Sequence, residues 1–193
     1  MNEALKLKKK YKNARDKLFN SLIINNDGFI FNNHHTKLVD DIVRDIVKNI
    51  IQEYSIDGFA LIAVGGYGRN DLSPKSDVDL LFLYKKSNKN IKNFITTLNN
   101  NLWDVGLEVG ISFLTLKQVI IDSKKDIKTV TKFAESRHLI GDKDYYGEFV
   151  RSIKILIGRL NPLKLSEKKL LELVERHDYY LGIKSNLEPQ IKE

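Results

Sequence analysis

Residues 59–84 read FALIAVGGYGRNDLSPKSDVDLLFLY, and how this stretch is read decides the fold. FALIAV at 59–64 is opened by an Asp-Gly pair and closed by Gly-Gly; VDLLFLY at 78–84 is ended by the polar KKSNKN. Both apolar runs have strand length and turn-forming borders, so each reads as a buried strand. Taken singly, the glycines and SPKSD are ordinary turns, and Asp77 and Asp79 are polar residues of an edge strand. Three details count against that bland reading. The apolar run continues directly after Asp79, so its carboxylate opens a buried strand, where charge is costly unless paired or coordinated. Alternate strand residues share a face, which sets Asp77 and Asp79 side by side as a hard divalent ion requires. LEVGISFL at 107–114 reads as a third strand and offers another acid, Glu108, between apolar neighbours. Adjacent strands lie about 4.8 Å apart, so Glu108 can complete a three-carboxylate cluster able to hold two Mg²⁺ roughly 4 Å apart.

The glycines then have a use. Gly65 and Gly66 let the backbone approach a triphosphate, whose oxygens the local amides can bind. The stretch is neither a P-loop, lacking GxxxxGK[ST], nor a dinucleotide fingerprint, lacking the third glycine at the required spacing.

Outward from this centre the signal is helical. Apolar stripes predict helices over 2–22 and 36–54, with NNDGFIFNNHH as a turn-rich break that leaves His34 and His35 at the surface. Residues 90–104 form another helix, stopped by Gly106, and helices are expected over 116–123, 127–139, 143–159 and 166–184. The pattern is α+β: a small mixed sheet flanked by helices, with a C-terminal helical region. It divides into N-terminal helices at 1–58, a core at 59–115 and a helical region at 116–193.

With 193 residues the chain fits one domain, and at that size folding buries roughly 70% of the unfolded surface. The absence of cysteine excludes disulfide frameworks and cysteine zinc sites. The charged start carries no apolar core of a signal peptide, and no apolar run is long enough to cross a bilayer, so a cytoplasmic protein is expected. The net charge of +7 comes from 25 Lys and 7 Arg scattered along the chain. That distribution is a poor argument for a nucleic-acid partner, although the positive field would attract nucleoside triphosphates or an acidic protein.

The GG, ten residues, D-h-D pattern with a later third acid resembles the polymerase-β-like nucleotidyltransferase superfamily. More closely, GGYGRNDLSPKSDVDLLFL, LWDVGLEVGISFLT, ESRHLIGD and LEPQIKE are similar, in order, to the amino-terminal domain of the bifunctional uridylyltransferase/uridylyl-removing enzymes of the PII nitrogen-sensing system. The resemblance implies that Asp77, Asp79 and Glu108 hold two Mg²⁺, and that Gly65, Gly66 and Arg69 contact the triphosphate. Ser76 would bond a phosphate or cap its turn. The implied reaction moves UMP from UTP to a tyrosine of PII with release of pyrophosphate. Asp104 is a rival for the third acid, but it stands at a helix end beside Trp103. Arg137 is placed either at the nucleotide or in a structural salt bridge.

The chain also departs from the family. Asn70-Asp71 replaces a usual Gly-Glu, and Ile111 stands where a polar residue, often His, is common, which puts a substrate contact there in question. LEPQIKE stops where the family continues into a Gly-rich segment, an HD hydrolase domain and two ACT domains, so a truncated domain without uridylyl-removing activity is expected. His177-Asp178 lacks the further ligands of an HD site, Tyr179 and Tyr180 read as helix residues, and Lys192 and Glu193 resemble positions near the cleft. Two other readings stay open: a stand-alone minimal nucleotidyltransferase acting on another protein, an antibiotic or tRNA, and a non-catalytic remnant that binds nucleotide or partner.

Overall fold

The computed structural model describes residues 3–25, 27–73, 76–163, 166–167 and 170–171. Two long helices come first, α1 (Glu3–Asn25) and α2 (Gly28–Tyr54). The strand β1 (Phe59–Val64) leads into a single turn, α3 (Gly65–Gly68), and then β2 (Val78–Tyr84). There follow α4 (Lys89–Val105), β3 (Val109–Leu114), α5 (Leu116–Lys125), α6 (Ile127–Ala134), β4 (Ser136–Gly141) and α7 (Lys143–Gly158). This is the α+β architecture with a mixed sheet that the sequence indicates.

The sheet order is β3-β2-β1-β4, with β1 antiparallel to both neighbours and β2 parallel to β3. All six residues of β1 are buried because side chains of alternate parity enter different cores. Phe59, Leu61 and Ala63 join Val78, Leu80 and Phe82 of β2 under α1, α2 and α4. Ala60, Ile62 and Val64 join Leu81 and Leu83 under α5, α6 and α7. Fully burying each such Leu, Ile or Phe contributes about 1.5–3 kcal/mol. By the same alternation Asp79 lies on the α5–α7 face, at the end of the strand where that core stops.

Two elements differ from expectation. Residues 28–35 of the Asn-rich stretch are helix rather than loop: Asp27 caps the Ile30 amide at 2.9 Å and α2 runs from Gly28 without interruption. Phe31 packs on Phe19 and His35, so aromatic burial outweighs the weak helix propensity of the asparagines. Likewise the helix expected over 127–139 ends at Ala134, and Ser136–Gly141 pairs with β1. Without β4, one edge of the fully buried β1 would be left with unpaired amides and carbonyls, a cost that overrides local helical preference. The 116–193 stretch is therefore not all helical. The helix expected over 166–184 lies almost wholly outside the described residues.

Candidate active site

Asp79 is the second residue of β2, half-exposed, with its carboxylate in a space that two glycines leave open. A Cβ on Gly110 of β3 would stand 3.1 Å from Asp79 Oδ1, and a Cβ on Gly65 would stand 3.5 Å from Oδ2. The register pairs Asp79 with Gly110, so the missing side chain lies directly beside the acid. Lys132, from α6, donates from Nζ to Asp79 Oδ1 at 2.7 Å.

Gly65 has φ +61°, the left-handed region that glycine enters without steric cost, and this turns the chain from β1 into α3. Gly68 is held for another reason: a Cβ there would lie 2.0 Å from the Glu135 carbonyl oxygen. Arg69, expected on a triphosphate, is ion-paired with Glu135, and both side chains are partly exposed. The loop that follows is pinned by α2. Asn32 donates to Asp71 at 2.8 Å, Thr36 Oγ1 accepts the Leu72 amide, and His35 Nδ1 lies 3.1 Å from the Leu72 carbonyl. A carbonyl only accepts, so Nδ1 carries the proton, and Nε2 faces the Tyr11 hydroxyl at 3.4 Å. Burial lowers the His35 pKa, in keeping with a neutral ring. Asn70 has φ +64°, a left-handed conformation that asparagine tolerates better than most residues with a Cβ.

Asp77 and Ser76 are exposed just before β2. The Val78 amide donates to the Glu108 carbonyl at 2.8 Å, which carries the β2–β3 register one step past the strand and sets the backbone of Glu108 beside Asp77. The Glu108 side chain is exposed, and its charge reaches Tyr11 of α1, whose hydroxyl is raised first by burial and only lastly by Glu108. Among the described residues no three acidic or histidine side chains stand together as a ready-made ion cage. Magnesium does not need one: it is commonly held by one or two carboxylates, with waters and substrate phosphates completing its shell. The hard oxygens of Asp77 and Asp79, with the space kept open at Gly65 and Gly110, fit that mode.

The rivals fall elsewhere. Asp104 is exposed and, with Asn99, Asn100 and Trp103, lines an open hollow of about 490 Å³ on α4, across the sheet from Asp79. Ile111 packs into the α1/α2/α4 core, so it faces away from Asp79. Arg137 lies on β4 and forms the structural salt bridge. It donates to both oxygens of Asp40, at 2.5 and 3.0 Å, and to the Tyr67 carbonyl. Asp40 also accepts from the Tyr67 hydroxyl at 2.8 Å and from Arg44 at 3.2 Å. Burial and the Asp40 charge push the Tyr67 hydroxyl well up. His177, Asp178, Tyr179, Tyr180, Lys192 and Glu193 lie outside the described residues.

A family model described as a nucleotidyltransferase domain matches residues 43–140, half the chain, and spans β1 through β4. The chain belongs to the nucleotidyltransferase domain family. Among its relatives, bifunctional uridylyltransferase/uridylyl-removing enzymes from Chromobacterium violaceum and Nitrosospira multiformis are 33% and 31% identical, over 93% and 97% of this chain. The same enzyme from Zymomonas mobilis is 36% identical over 81%. This chain spans only about a fifth of their length, 20%, 21% and 17% respectively. A solved toxin-antitoxin structure with AMP-PNP overlaps 68% of this chain and 97% of its own at 15% identity and TM-score 0.39, too loose a likeness to bear on function.

Two features of this nucleotidyltransferase domain carry little signal in sequence, and a third carries some. Lys132 is one of many lysines, and nothing in IKTVTKFA marks it as the partner of an acid 53 positions earlier. Gly110 reads as an ordinary strand glycine. Asp40 did leave a trace: Thr36, Asp40, Val43 and Val47 form one helical ridge, in which a carboxylate interrupts a buried stripe.

Proposed function

We propose that this domain is a Mg²⁺-dependent nucleotidyltransferase that moves UMP from UTP to a tyrosine hydroxyl of a PII-type signalling protein. The observation that carries this reading is Asp79, a strand-borne carboxylate in a space cleared by Gly65 and Gly110, beside the Gly65-Gly66 turn. Asp77 and Asp79 would hold the metal, with Glu108 as the third acid. Bound Mg²⁺ neutralises phosphate charge and favours deprotonation of the attacking hydroxyl. The amides of Gly65 and Gly66 bind phosphate oxygens, and Arg69 turns from Glu135 to the triphosphate. The bonds of Asp71 and Leu72 to α2 hold the loop that follows the glycine turn. The new bond joins the tyrosine oxygen to the α-phosphorus. The bond from that phosphorus to the bridging oxygen of the β-phosphate breaks, and pyrophosphate leaves with the electron pair.

Purified protein incubated with labelled UTP, Mg²⁺ and its cognate PII protein is expected to label PII. Labelling that survives Asp77→Asn would contradict the metal assignment. A second reading, a domain that binds nucleotide without transferring it, is favoured by one observation: Glu108 is not gathered with Asp77 and Asp79 into a cage. Saturable UTP binding without transfer to any acceptor supports it, and thermal stabilisation by ATP but not UTP supports a minimal nucleotidyltransferase of other specificity.

A further inference from the structure

We propose that Lys132 is the resident counter-charge of Asp79: it competes with a divalent ion for that carboxylate and is drawn off by an incoming triphosphate, so that metal and nucleotide enter together. This rests on the reading of Asp79 as a metal-holding residue.

The geometry points to exchange rather than to a fixed strut. Lys132 Nζ lies 2.7 Å from Oδ1, the oxygen that also faces Gly110. Its stem crosses the phosphate turn, with Cγ 3.7 Å from where a Gly65 Cβ would stand. The stem therefore lies against the glycine turn while the ammonium rests on the acid beside it, so one flexible side chain borders both groups. Its base does not need to move. The end of α6 is pressed on α3, where Gly68 leaves room for the Glu135 carbonyl, and the Glu135 side chain pairs with Arg69. Both partners of the Lys132–Asp79 pair are about one-third exposed, 39% and 33%, and single pairs of that kind hold weakly. A dication carried by a triphosphate outcompetes one ammonium at the carboxylate, while the phosphate oxygens offer the ammonium a stronger partner.

Mn²⁺ binding followed by electron paramagnetic resonance, without nucleotide, tests this directly. Lys132→Met is expected to bind Mn²⁺ up to about fivefold tighter than wild type, the most such a pair can withhold, and Lys132→Arg to match wild type. In EDTA, Lys132→Met is expected to lose about fivefold or more in UTP affinity, with Lys132→Arg restoring it. Thermal melts in EDTA establish that each variant folds, and Mn²⁺ should raise the melting temperature of Lys132→Met more than that of wild type. Mn²⁺ binding by Lys132→Met no tighter than wild type, with Asp79→Asn abolishing it, overturns this inference and leaves the metal reading intact. Tighter Mn²⁺ with unchanged UTP affinity overturns the exchange. Mn²⁺ binding unaffected by Asp79→Asn overturns the underlying reading of Asp79.

Discussion

Asp40 and Asp79 are both aspartates facing cationic side chains, yet their surroundings differ in kind. Asp40 is 6% exposed and receives four hydrogen bonds from Tyr67, Arg44 and Arg137, which between them tie α2, α3 and β4 together. Asp79 is partly open, receives a bond from Lys132, and borders two positions where a side chain is missing. A carboxylate saturated by buried donors holds a fold; one with open oxygens and a displaceable partner can hold a ligand. Neither residue type nor charge separates the two. Their partners and the space beside them do.

The first way to break this comparison is at its buried member. Asp40→Ala leaves the largely buried Arg137 without its carboxylate partner, and urea unfolding is expected to show a loss of about 3–5 kcal/mol. A loss below about 1 kcal/mol would place Asp40 among ordinary partly exposed pairs and remove the contrast.

The next effect is a pH dependence from the histidines. Burial lowers the pKa of His35, and also of His138 on β4. Below 6.5 the unfolded chain takes up protons that the folded ring refuses, so stability falls as pH drops from 6.5 toward the lowered folded values. Each unit of separation is worth about 1.4 kcal/mol. Unfolding midpoints at pH 7.5 and 5.5 should therefore differ, and His35→Gln should reduce the difference. An equal difference in wild type and variant would show that His35 is not the group responsible.

A smaller effect sharpens the loop between the two aspartates. Asn70→Gly is expected to leave stability within a few tenths of a kcal/mol, whereas Asn70→Ala costs about 1 kcal/mol because a left-handed backbone disfavours its Cβ. Equal melting temperatures for the two variants would mean that the turn relaxes.

The strands around the site were legible because their runs are short, apolar and bordered by Gly or polar clusters: β1 and β2 lie where FALIAV and VDLLFLY place them, and β3 begins at Val109, two residues into LEVGISFL, which leaves Glu108 just outside the strand. The position of Asp79 at the mouth of a buried strand followed from the apolar residues after it. What escaped depends on non-local pairing. SRHLIG has no strong strand pattern and becomes β4 because β1 needs a second partner. The asparagines of α2 read as loop because the aromatic packing of Phe31 and His35 cannot be seen along the chain. Lys132 escaped because an ion pair on α6 leaves no trace in local spacing, and the side-chain direction of Glu108 is not set by its place between Leu107 and Val109.

The central claim is that Asp79 is a working carboxylate and Asp40 a structural one. Measuring urea stability and UMP transfer from labelled UTP on the same preparation of Asp79→Asn tests it most directly. The expected result is a stability change of no more than about 1 kcal/mol together with loss of transfer. Transfer at the wild-type rate by a stably folded Asp79→Asn protein would contradict it.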